Sequence, residues 1–250
     1  MSDMEQTDNS LTAPAPLPPG GDAETTLEST ISAADARPGF RFSKKISVLS
    51  DPGGAQAETF GALRTHLLAQ HLRDGRRSLT ICAPCEGIGS TYVAVNLAVA
   101  FALAGVNTLL IDANMRDSGV DEYIEPEGKI LGLQQCLMEN GPPVGQGIQE
   151  EVLPNLAVMY SGGVSDNPQE LLAGRHFKPL IEGCIRDFEI TIVDTPPSNG
   201  SADALRIAMA VRYALIVARR DTSYVNDIKV LASQLIADRA KVIGTFLNDF

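Results

Sequence analysis

Tryptophan is absent, and aromatic residues make up only 5% of the chain. A core without large rings must be aliphatic. The Val/Ile/Leu runs and Ala-rich stretches that supply it suit a parallel sheet covered by helices. No apolar run approaches the ~20 residues that span a bilayer, so any membrane role is expected to come through a partner. The amino terminus is acidic and polar, unlike a secretory signal. Positive charge is in deficit: 20 Lys and Arg stand against 31 Asp and Glu, a net charge of −11. An acidic chain repels phosphate backbones, which argues against nucleic acid as a partner. Cysteines number four. Cys82 and Cys85 have the C-x-x-C spacing of a zinc or redox site, but no second pair or histidine cluster follows. Reduced structural thiols are the expected reading.

What is present is a chain of 250 residues, 44% of them hydrophobic, enough for one sizeable core. Residues 1–39 are rich in Pro, Ser, Thr, Ala and acids and lack apolar periodicity, so they are predicted to be a disordered acidic tail. The domain is expected to occupy residues 40–250. Its first residues, Phe40-Arg41-Phe42-Ser43-Lys44-Lys45, read as a solvated lead-in to the fold.

Beyond them helical and extended patterns alternate. Helices are predicted over residues 58–72, 91–104, 132–140, 168–186, 202–210 and 225–239. Strands are predicted over 78–83, 108–112, 156–160, 190–194, 214–218 and 242–247. This spacing implies right-handed βαβ units and an α/β fold: a P-loop NTPase-type parallel sheet with helices on both faces. Ligands in such sheets bind beyond the carboxyl ends of the strands. Three of those ends carry polar residues: the 84–91 loop, Asp112 and Asp194.

The loop reads Pro84-Cys85-Glu86-Gly87-Ile88-Gly89-Ser90-Thr91. A P-loop, G-x-x-x-x-G-K-[ST], cradles phosphate on backbone N–H groups, reaches it with Lys, and binds Mg²⁺ through its hydroxyl. Gly89 and Thr91 fit the second glycine and the hydroxyl. Pro84 stands at the first glycine and Ser90 at the lysine. Taken alone the match is weak, since Gly-rich strand-to-helix turns occur in many α/β proteins. The run Leu109-Leu110-Ile111-Asp112-Ala113-Asn114-Met115-Arg116 delivers Asp112 to the same edge; in isolation Asp112 would read as a loop-capping residue. Ile190-Thr191-Ile192-Val193-Asp194-Thr195-Pro196-Pro197 ends an apolar strand on a carboxylate that can orient a Mg²⁺-bound water.

Taken in order, these blocks resemble the bacterial tyrosine kinases of polysaccharide synthesis, the CpsD/CapB type, relatives of the MinD/ParA ATPases. The resemblance covers about Glu58 to Asn248. Glu58-Thr-Phe-Gly-Ala-Leu-Arg64-Thr-His-Leu67 is similar to the family's first-helix signature. Asn167-Pro168-Gln169-Glu170-Leu171-Leu172 resembles its Asn-Pro-x-Glu-Leu-Leu block, and Gly244-Thr-Phe-Leu-Asn248 its closing strand. The resemblance implies ATP with Mg²⁺ as cofactor, Asp112 and Asp194 as catalytic carboxylates, and metal contact by Thr91, Asp112 and Asp194. Nucleotide contact falls to Gly87, Gly89, Ser90, Thr91, Arg116 and Asn248. It also implies a membrane chain-length or co-polymerase protein as partner, a homo-oligomer, and a place at the inner face of the plasma membrane.

Departures from the family fall on catalytic positions. Ser90 replaces the P-loop lysine, Asn114 replaces the second Asp of the Walker A′ strand, and Gly61 stands where the first helix usually has Arg. The five tyrosines are dispersed rather than clustered at the carboxyl end. Removing one preorganised donor at a phosphoryl centre typically costs roughly 10²–10³ in rate. A degenerate kinase acting as regulator or scaffold of polysaccharide export is therefore the leading expectation. An active autokinase with an altered loop, or a MinD/ParA-like positioning ATPase, are the alternatives.

Overall fold

The computed structural model describes residues 32–249; most of the segment read as an acidic tail lies outside them. The strands are β1 (Phe40–Phe42), β2 (Ser78–Cys82), β3 (Thr108–Asp112), β4 (Ile124–Pro126), β5 (Gln149–Leu153), β6 (Leu156–Met159), β7 (Ile190–Asp194), β8 (Tyr213–Arg219) and β9 (Lys241–Asn248). The helices are α1 (Ser47–Ser50), α2 (Ala55–Gln70), α3 (Ser90–Leu103), α4 (Leu133–Leu137), α5 (Val144–Gly147), α6 (Pro168–Ala173), α7 (Phe177–Asp187), α8 (Asp203–Val211) and α9 (Val225–Ala237).

Seven strands form one sheet in the order β5-β6-β3-β7-β2-β8-β9. Every pairing is parallel except β5 with β6. β2, β3 and β7 are buried at every residue. A strand covered on both faces is mostly apolar, so these read as near-continuous runs, broken by buried Ser78, Thr80, Thr108 and Thr191, rather than as alternating patterns. α3 is buried along nearly its whole length, and its alanines 94, 98, 100 and 102 let it lie close to the sheet. It packs with α1 and α2 around Phe60, Leu97 and Phe101. The opposite face is covered by α4, α6, α7 and α8 around Leu109, Ile111, Phe177 and Ile181. α9 closes the β8–β9 end over Ile216 with Leu231 and Leu235.

The mostly parallel sheet with helices on both faces is as expected, with one unforeseen edge strand: β5 runs antiparallel to β6, its first three residues polar and its last two, Val152 and Leu153, buried. Two further expectations need correction. The single helix expected over 168–186 is two, because Gly174 takes an extended conformation between α6 and α7. Phe40–Phe42 is not a solvated lead-in; it pairs with Ile124–Pro126 in a two-stranded sheet, with Phe40 and Phe42 against the core. Just before it, Arg37 bonds the carbonyl of Glu150 at 2.7 Å.

Candidate nucleotide site

β2 ends at Cys82, and the loop that follows turns into α3 at Ser90. Gly87 and Gly89 have φ of 74° and 86°, in the left-handed region open to glycine. At Gly89 a Cβ would also collide with the Asn248 amide. Two carbonyls of this loop are held from behind. Asn248 Nδ2 donates to the Ile88 carbonyl at 2.8 Å, and Arg219 Nη1 donates to the Gly87 carbonyl at 2.9 Å. In a planar trans peptide the next N–H points the other way, so the amides of Ile88 and Gly89 turn away from these two side chains. The first amides of α3 add further donors and the positive end of the helix dipole.

β3 and β7 are neighbours in register, so Asp112 and Asp194 lie side by side at the carboxyl edge, both fully buried. Asp112 accepts from the amides of Asn114 (3.0 Å), Gly119 (3.2 Å) and Val120 (3.3 Å) and from the Ser118 hydroxyl (3.1 Å). Asp194 Oδ2 accepts from Thr91 Oγ1 at 2.6 Å, while its Oδ1 is buried with no partner. Burial pushes the Asp194 carboxyl well above its ordinary value, and Asp112 beside it pushes further, against the Thr91 bond. Burial likewise raises Asp112, opposed by its ring of donors. A bare buried carboxylate oxygen beside a threonine hydroxyl fits a hard divalent cation such as Mg²⁺. The glycine turn and helix start fit phosphate. The lysine that would carry charge between them is the missing part.

The cavity over this edge measures about 380 Å³, within the usual range for ligand sites. Gly87, Gly89, Ser90 and Thr91 line it, with Tyr92, Asn114 and Tyr123. Its charged lining residues are Glu86, Asp117 and Glu122; no Lys or Arg is among the described lining residues. Phosphate entering here meets carboxylates without a cation to balance them. A larger cavity, about 780 Å³, opens between β5, β6 and α7, but none of the motif residues lines it.

Two residues that the resemblance assigns to nucleotide do not line the cavity. Arg116 Nε is paired with Asp203 Oδ2 at 2.7 Å, and Asp203 is buried, so this cation is committed to a structural pair. Asn248 is buried behind the loop and holds it, leaving its own Oδ1 unpartnered. Asn114, at the position of the second Asp, accepts from the amides of Arg116 and Asp117 and folds the loop that roofs the site. Sequence reasoning missed Arg219, Tyr92, Asp117, Glu122 and Tyr123. An Arg closing an apolar strand at the ligand edge was the signal available for Arg219.

This fold and edge define a P-loop ATPase-type protein of the kinase and MinD-like class. Family profiles give no match to the chain. Individual proteins do. The tyrosine-protein kinase CpsD of Streptococcus agalactiae is 34% identical over 191 residues, covering 76% of this chain and 82% of that protein. CpsD of Streptococcus pneumoniae serotype 4 is 31% identical over 76% of this chain and 83% of its own length. The kinase domain of the Escherichia coli tyrosine kinase ETK superposes with a TM-score of 0.76 at 26% identity, over 81% of this chain and 79% of that one. The Pyrococcus furiosus cell division ATPase MinD shares the fold, with a TM-score of 0.61 at 21% identity over 70% of this chain and 73% of its own. The chain belongs to the bacterial tyrosine-protein kinase family that includes CpsD.

Proposed function

We propose that this family member holds Mg²⁺-nucleotide without transferring its phosphoryl group efficiently. It acts instead as a regulator or scaffold of a membrane co-polymerase in extracellular polysaccharide synthesis or export, of capsule or holdfast type. The observation that carries the reading is Ser90 at the lysine position, in a cavity whose charged lining is acidic. Phosphoryl transfer depends on positioning and on neutralising charge at the transferred group. Thr91, the bare Asp194 oxygen and the loop amides still offer a metal and phosphate cradle. When bound, Mg²⁺ would supply charge neutralisation, with Thr91, Asp112 and Asp194 around it. The partner would place the protein at the inner face of the plasma membrane, and a homo-oligomer belongs to the same reading.

The test is autophosphorylation of the purified chain with labelled ATP and Mg²⁺, read on tyrosine. We expect none above the level of an Asp194→Ala control. Robust tyrosine labelling overturns the degenerate reading. It would favour a second one, an active autokinase, which the intact Thr91–Asp194 pair supports.

A further inference from the structure

The amino ends of the strands, opposite the nucleotide edge, gather positive charge in an otherwise acidic chain. Arg77 precedes β2, Arg212 precedes β8, and Lys241 opens β9. These three strands are adjacent. Hydrogen bonds stitch their starts together: the Ser78 hydroxyl donates to the Val211 carbonyl at 2.9 Å, and the Lys241 amide to the Arg212 carbonyl at 2.7 Å. Arg73 and Arg239 flank the row. All five are exposed, and none forms an ion pair among the described residues. Arg76 lies behind them, its guanidinium 5.7 Å from the Tyr213 ring centre and paired with Asp74. The other nearby acids are partly spent: Glu189 accepts from the Asn107 amide, and Asp238 is half-buried.

We propose that this pole docks directly on an anionic phospholipid surface. Neighbouring strands lie about 4.8 Å apart, so the row presents its cations along one line at the sheet's end. At the Lys241 end of this row, a concavity of about 180 Å³ between His66, His71, Arg76 and Lys241 admits a phosphate-sized headgroup rather than a peptide segment. Ile236, 63% exposed in the last turn of α9 before β9, adds an apolar contact beside the charges. The net charge of −11 does not oppose this contact strongly, because charges farther than about 8–10 Å are screened at physiological salt. Each Lys or Arg at an anionic bilayer strengthens binding roughly fivefold. Docked this way, the nucleotide edge faces away from the membrane.

The test is flotation of the full chain with phosphatidylcholine vesicles, with and without phosphatidylglycerol, at low and high salt. Binding is expected only to the anionic vesicles and to fall with salt. The combined Arg77→Gln, Arg212→Gln, Lys241→Gln variant should bind roughly a hundredfold more weakly. Arg220→Gln, just past the opposite end of β8, should bind as the parent does. Circular dichroism checks folding, and single Lys241→Gln, with a loss of about fivefold, serves if the triple variant does not fold. Equal vesicle binding by parent and variants overturns the proposal. So does binding to an acidic polypeptide with none to vesicles, which would point to a protein partner. No step depends on nucleotide, so this outcome is separate from the autophosphorylation result.

Discussion

The nucleotide edge divides into two halves that differ in what their residues do for the fold. In the carboxylate half every signature residue has a structural duty. Asp112 gathers four donors and shapes the 113–120 loop, and Asp194 ties β7 to α3 through Thr91. In the loop half, Gly89 is needed because Asn248 packs against it. Position 90 has no such duty: it is the half-buried first residue of α3, with its side chain at the cavity wall. A lysine there serves only a bound phosphate, so its loss leaves the fold intact. The retained carboxylates and glycines of this chain therefore also hold the fold, whereas position 90 serves chemistry alone.

Perturbations should break the halves unequally. Asp112→Ala leaves buried amides without an acceptor and should destabilise the chain by about 3 kcal/mol in urea unfolding. Gly89→Ala imposes left-handed strain and a collision with Asn248, for a loss of about 1–3 kcal/mol. Thr91→Val removes one charge-assisted bond and should cost about 1–2 kcal/mol. If Asp112→Ala proved harmless, the structural role assigned to the carboxylate half would be wrong. Ser90→Ala should stay within about 0.5 kcal/mol of the parent.

A pH series sharpens the same contrast. Burial holds the folded-state carboxyls of Asp112 and Asp194 above the usual carboxylate range. A raised carboxyl stabilises the fold below its unfolded pKa, and that contribution is lost as pH rises through the folded value. The metal-free chain should therefore lose stability as pH climbs from about 4 toward neutrality. Asp194→Asn should flatten that slope. Thermal melts across this range check it; an unchanged slope in the variant would show that the pair is not its source.

Much of the fold was legible because strands buried on both faces are mostly apolar: the expected β3 and β7 coincide with the observed ones, and β2 differs by one residue. The rest depends on context. β4 and β5 are short and partly exposed, and Gly174 breaks a helix whose apolar spacing continues beyond it. At the site, the loop register and Ser90 followed from local order along the chain. The commitment of Arg116 to Asp203, 87 residues away, and of Arg219 to Gly87, 132 residues away, could not. Such side chains reveal their use only once the strands align.

The most direct measurement is calorimetric titration of Mg²⁺-ATP into the parent and into Ser90→Lys. Restoring one charged donor should tighten binding roughly 10- to 100-fold, with little change in stability. Equal affinities in the two proteins would contradict the claim that position 90 is where the phosphate half of this site was lost.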